Sequence, residues 1–414
     1  MSFPSPAPGT RSLPAPEAGT PTGTRSMAVL LMIGSCLPVL GAVLIAPVLP
    51  RMQDHFQNTP GADVLVPVAL TVPALALGLL APFAGVIVDR LGRTRLLTAA
   101  TAAYAVLGTA PLYLDSLGAI VASRALVGIA EAAIITCCTT LIGDHWSGRQ
   151  RERLLAVQTM CASLSATVFF ALGGAVGAAG WRAPFWAYAA ALLLAPLMAA
   201  RLRPAPAEAT PEEGHEPGRA FPWRRLAAPC ALTFFGAVVF YTVPVEMAYL
   251  LDDLGITSTA TVGLAAACAS AATVAGAAAF SRLASRTEAL LPYVFALCAA
   301  GFGLMCLADG VPLLVAGAIV NCLGTGMLLP ALLTRTMALL QHGDRGRGSG
   351  LWNSAFFLGE FLCPLALIAV AHVTGTLAGA VGVLAAATAL TAAGLLATRI
   401  RIPRPAAAPG GTAA

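Results

Sequence analysis

The chain has 414 residues, of which 58% are hydrophobic and only 10% charged, with a formal net charge of +5. A water-soluble domain carries about 25% charged residues, so this chain cannot clothe itself for water; it reads as an all-α membrane protein, and its positive charge is no sign of a nucleic-acid partner. All 24 basic residues are Arg and none is Lys, which excludes a P-loop ATPase, whose Lys meets the β/γ-phosphates, and a Schiff-base enzyme.

Residues 1–26 are rich in Pro, Ser, Thr and Gly and carry no apolar face; they are expected to form a disordered tail. The apolar run from Met27 is too long for a cleaved signal peptide and lacks a small-residue cleavage site. Twelve stretches then follow that can each cross a hydrocarbon core of ~30 Å, which takes roughly 20 helical residues. They lie near 28–49, 66–88, 96–114, 118–142, 154–178, 183–200, 227–250, 259–280, 288–308, 311–333, 350–371 and 375–398. The segment "RLRPAPAEATPEEGHEPGRAFPWRRL" (201–226) is the one long polar interior stretch and is read as a linker. It divides the chain into a first six-helix bundle (27–200) and a second (227–400), followed by a loose tail (401–414). The expected fold is twelve transmembrane helices in two pseudo-symmetric bundles of six.

Arginine orients this arrangement. With the N-terminus inside, 21 Arg fall in inner segments, Arg51 and Arg182 fall in outer ones, and Arg124 lies within a span. Positive charge of this asymmetry marks the cytoplasmic side. Both termini and the linker are therefore expected in the cytoplasm of a cell whose inner or plasma membrane the chain spans.

The five His fall in or beside loops, and the ten Cys sit in apolar spans without a C-x-x-C. The Cys are read as small packing residues. No metal, no cofactor and no enzymatic activity is expected, and a monomer is assumed.

Charges inside a membrane cost a few kcal/mol each on insertion scales and are functional candidates by default. Arg124 and Glu131 lie in the fourth span, Glu246 in the seventh and Glu360 in the eleventh. Seven residues separate Arg124 from Glu131, so they share a helix face about 10 Å apart along the axis, too far for a direct axial ion pair. Asn321 in the tenth span is a neutral polar candidate. Tyr241 and Phe240 in the seventh could supply an aromatic wall, although packing is the better reading of Phe240.

Two stretches carry more specific patterns. "GVIVDRLGRTRLL" (85–97) packs Asp89, Arg90, Arg93 and Arg95 between two apolar runs, and "SRALVGIAE" places Gly128 four residues after Arg124. Weak echoes, Arg90 with Arg282 and the R-x-R at Arg149 with that at Arg345, recur at offsets of 192 and 196 residues, which suggests duplicated halves. On these residues the chain resembles the major facilitator superfamily of secondary transporters. Gly85, Asp89, Arg90, Gly92, Arg93 and Arg95 match the family signature between spans 2 and 3, and Arg124 with Gly128 matches its intramembrane R-x-x-x-G pattern. "GWRAPFWAY" and "RGRGSGLWNSAFFLGEFLCPL" look like bacterial efflux members. The fifth span, "ALGGAVGAAGWRAPF", lacks the Gly-Pro step usual in drug–proton antiporters, which counts against a typical multidrug antiporter and leaves the broader efflux group, including sugar-exporter-like members, open.

The resemblance implies a function and a site. It implies alternating access and a cavity lined by spans 1, 4, 7 and 10, which favours Glu131, Arg124, Glu246 and Asn321 over Glu360. Asp89 would approach the N-terminus of span 11, near Ser349–Asn353, and pair with Arg93 or Arg90, forming a cytoplasmic latch. The expected function is export of a small organic molecule driven by protons, with Glu131 as the proton carrier. Two alternatives stand beside it: uptake of an organic anion, anchored by Arg124, or of another metabolite by proton symport, and a non-transporting membrane sensor with a transporter fold.

Overall fold

The computed structural model describes residues 23–202, 223–283, 287–341 and 344–401; the expectations for the two tails and for most of the linker lie outside the described residues. The first span opens as α1 (Arg25–Val43), where the Thr24 side chain accepts from the Met27 N–H. Pro47 has no N–H to return to the preceding turn, and the α-helix stops. The chain makes a 3-10 turn at Ala46–Val48 and resumes as α2 (Leu49–His55). The span expected at 28–49 thus runs on to His55 with a break in it.

Span 2 is α3 (Ala62–Leu80), interrupted around Pro82 and continued by the short α4 (Ala84–Leu91). Gly92, at φ 83°, makes the turn into α5 (Arg93–Thr109), a backbone conformation that a side chain would resist. Spans 4 and 5 are α6 (Leu117–His145) and α7 (Gly148–Gly177). Span 6 begins as a 3-10 helix (Ala183–Ala189) and ends as α8 (Ala190–Arg201). The second six are α9 (Trp223–Asp253), α10 (Thr259–Leu283), α11 (Thr287–Cys306), α12 (Val311–Ala338), α13 (Arg345–Thr374) and α14 (Leu377–Arg401). Eleven of these runs are long and apolar enough to cross a membrane. The twelfth crossing is the 17-residue α5, lengthened by a 3-10 turn to Leu112.

The helices pack as two bundles. In the first, α6 lies against α3 and α5, with α1, α7 and α8 around them; in the second, α12 lies against α10 and α11, with α9, α13 and α14 around them. Two seams join the bundles: α7 on α10, and α3 on α13. Between helices in lipid there is little hydrophobic driving force, so close approach of small residues supplies the packing. At the first seam the backbones of Gly174 and Gly263 touch: a Cβ on Gly174 would sit 2.7 Å from Gly263 Cα. The glycine-rich face of the fifth span thus serves the joint between bundles.

The buried residues of α7 begin only at Ser165, and most of those of α10 lie between Thr259 and Ser270. This seam is therefore tightest in its arginine-poor half. There Arg51 donates to the carbonyls of Gly177 (3.1 Å) and Thr257 (3.3 Å), the latter across the seam. At the second seam the Ser354 hydroxyl donates to the Gly78 carbonyl at 2.7 Å.

Candidate functional site

The break in the first span creates the site. In an uninterrupted helix, Gly41 and Ala42 would accept the N–H groups of Ile45 and Ala46. The turn towards Pro47 takes the chain out of that register. Side chains from other spans take the freed carbonyls: Arg124 Nη2 donates to Gly41 and the Tyr241 hydroxyl to Ala42, each at 2.9 Å. Arg124 belongs to the first bundle and Tyr241 to the second, so one helix end ties both to a single point.

Arg124 is fully buried. Its Nη1 donates to the Tyr188 hydroxyl at 2.7 Å, its Nε lies 3.4 Å from the Ala69 carbonyl, and its guanidinium stands 5.1 Å from the centre of the Tyr188 ring. The Tyr104 ring lies tilted beside that of Tyr188, and its hydroxyl donates to the Leu37 carbonyl at 2.6 Å. Spans 1, 2 and 6 thus hold the guanidinium in place, which offsets the cost of burying its charge.

Glu131 is 2% exposed and its Oε1 is buried without a hydrogen-bond partner. The described residues hold no ion pair between it and Arg124. Both groups instead flank Gly41: a Cβ there would collide with Glu131 Oε1 and lie 3.6 Å from Arg124 Nη2. Glycine is what lets the acid and the base share this corner.

A cavity of about 330 Å³ lies between the bundles. Residues from spans 1, 2, 4, 5, 7, 8, 10 and 11 line it, more than the four spans the sequence led us to expect. Glu131 and Glu360 face it from opposite bundles, with Tyr241 and Phe240 also on its wall. Arg124, Glu246 and Asn321 are not on the wall. Asn321 instead donates to the Cys298 carbonyl at 3.1 Å, turned from α12 towards α11, which leaves Cys322 to represent that helix in the cavity. Glu246 is buried in α9 away from the cavity.

At the arginine-rich end, Arg93 forms an ion pair with Asp144 at the close of α6. Arg90 and Arg95 are exposed, and a Cβ on Gly85 would meet open space, so nothing here explains that glycine. The side chain of Asp89 lies outside the described residues, and the expected latch with it. Asp144, Gly41, Ala42 and Tyr188 escaped the reading of the sequence. The "IAPVLP" stretch, with two prolines inside an apolar run, was the available signal for the break and its freed carbonyls.

A family model described as Major Facilitator Superfamily matches residues 31–245 and again 229–413. The chain is 30% identical over 167 residues to the tetracycline resistance protein, class C, of Escherichia coli, a match covering 39% of this chain and 41% of that protein. It is 28% identical over 165 residues to the multidrug efflux pump LfrA of Mycolicibacterium smegmatis, covering 38% of this chain and 32% of that one. The matches span less than half the length of either relative. Among solved structures, a D-xylose-proton symporter superposes with a TM-score of 0.76 at 15% identity, over 89% of this chain and 96% of that one; at that identity the likeness concerns the fold.

Proposed function

This chain belongs to the Major Facilitator Superfamily, and from that premise we propose that it is a proton-coupled exporter of a small organic molecule. It is a multi-pass secondary transporter and not an enzyme. Its energy source and direction are our reading. One observation carries it: Glu131 Oε1, buried without a partner, on the wall of a cavity between two bundles. An uncompensated charge in such a place is costly, and a proton removes it. A carboxylate that gives up its proton when the cavity faces one side and regains it on the other biases a two-state equilibrium by its differential interactions with those states.

Arg124 stands beside this group but spends its donors on Gly41, Ala69 and Tyr188 and stays off the wall. It steadies the corner and gives an organic anion no anchor, which favours export over anion uptake. In the orientation we adopt, the arginine-rich end faces the cytoplasm, by the positive-inside rule.

The test uses proteoliposomes and three probes of different charge: ethidium, fluorescein and Nile red. The reading expects one of them to accumulate uphill under an imposed pH gradient. Glu131→Gln should abolish that accumulation and keep downhill exchange within about threefold of wild type. Uphill accumulation by the variant, or no proton-driven movement of any probe by the wild type, would overturn the reading.

A further inference from the structure

The cavity also carries information about what it takes. Its wall is mostly aliphatic, with Phe170, Phe240, Tyr241 and Phe357 as its aromatic faces. The two charged residues among those lining it are both acidic, Glu131 on the first bundle and Glu360 on the second. The cation nearest in sequence, Arg124, is off the wall with its guanidinium held by carbonyls and a tyrosine. Two buried carboxylates thus face one apolar space that, among the described residues, holds no cation of the protein's own.

We propose that the cavity selects an amphipathic organic cation, an ammonium or phosphonium centre on an aromatic or aliphatic body, with Glu360 as its counter-ion. The assignment rests on the transport reading above and adds the sign of the substrate's charge. The two acids stand in different surroundings. Glu131 shares the Gly41 corner with Arg124 and is the group to which the proton is assigned, which leaves the carboxylate of the opposite bundle for the organic cation. Glu360 is 7% exposed and lines the cavity from the second bundle. It follows Phe357 by three positions on α13, so acid and ring share one helix face. Phe240 and Tyr241 approach from α9, and a cation over such rings gains attraction from their faces. An anion in the same space would meet two carboxylates and, among the described lining residues, no cation to neutralise it.

The division of labour has a consequence for exchange. A cation at Glu360 and a proton at Glu131 each remove one uncompensated charge from the cavity, and they do so on opposite bundles. The substrate's positive charge and the driving proton therefore need not occupy the same atom.

The experiment compares two ions of like size and shape and opposite charge, tetraphenylphosphonium and tetraphenylborate, on the full chain in nanodiscs. We expect the phosphonium to bind at least tenfold more tightly than the borate, and Glu360→Gln to weaken phosphonium binding at least tenfold. If that variant does not fold, carbodiimide labelling of the wild type replaces it: the phosphonium should protect Glu360 and the borate should not. Equal or tighter binding of the borate, unchanged phosphonium affinity in Glu360→Gln, or no protection of Glu360 overturns the assignment. These outcomes are separate from the coupling test. A protein that prefers the borate yet drives a probe uphill with protons keeps the transport reading and loses the cation. One that prefers the phosphonium without proton-driven movement keeps the cation and loses the coupling.

Discussion

Gly41 decides whether the acid and the base of the first bundle can coexist. Because a methyl group at this position would run into Glu131 Oε1, Gly41→Ala must push the carboxylate or shift α1. Overpacking of this kind costs about 1–3 kcal/mol. We expect proton-driven uptake to fall at least tenfold while the protein still reaches the membrane, measured as flux per folded molecule. Wild-type flux would mean that Glu131 does not need this corner. Arg124→Lys is expected to be equally damaging, since one ammonium cannot meet carbonyls on α1 and α3 and the Tyr188 hydroxyl in the planar arrangement that a guanidinium fits. The sequence made Arg124 and Glu131 stand out because charges are rare in this chain and dear in a membrane. It said nothing of Gly41, one of 41 glycines, because only the approach of another helix gives that position its meaning.

At the scale of elements, the broken first span gives the two bundles a further meeting point beside the two seams. Tyr241 from α9 holds the carbonyl that the break frees at Ala42. Tyr241→Phe leaves that carbonyl without its buried donor, a loss of about 1–3 kcal/mol felt only in the state where the bundles close here. The variant should therefore shift the equilibrium between the two facing states by roughly 5–150-fold. Thiol labelling of single cysteines placed on the arginine-poor face should become faster; unchanged labelling would reduce this bond to packing. Arg51→Ala removes the side chain that ties the end of α7 to the loop before α10 and is expected to act in the same direction, more weakly, because it is reachable by water. The helices themselves were legible from apolar run length, and their number follows from it. The breaks near Pro47 and Pro82 were not, because prolines are tolerated within membrane helices and hydropathy does not register which of them end a helix. The preference for spans 1, 4, 7 and 10 passed over Glu360 for a related reason: the sequence cannot tell which face of α13 looks inward.

For the whole molecule, the two family matches and the two seams describe one plan, a duplicated six-helix unit closing on a shared cavity. Alternating access in such a plan is a rocking of one bundle on the other about a central site. The proton enters this account through a single group, so the coupling must be visible as a stoichiometric link between two fluxes. The direct measurement is internal pH in wild-type proteoliposomes when the fastest-moving of the three probes is added outside with no imposed pH gradient. Our account predicts that probe entry drives protons out, raising internal pH in proportion to probe taken up, and that Glu131→Gln takes up probe without the pH change. Probe entry by the wild type with internal pH unmoved would contradict it.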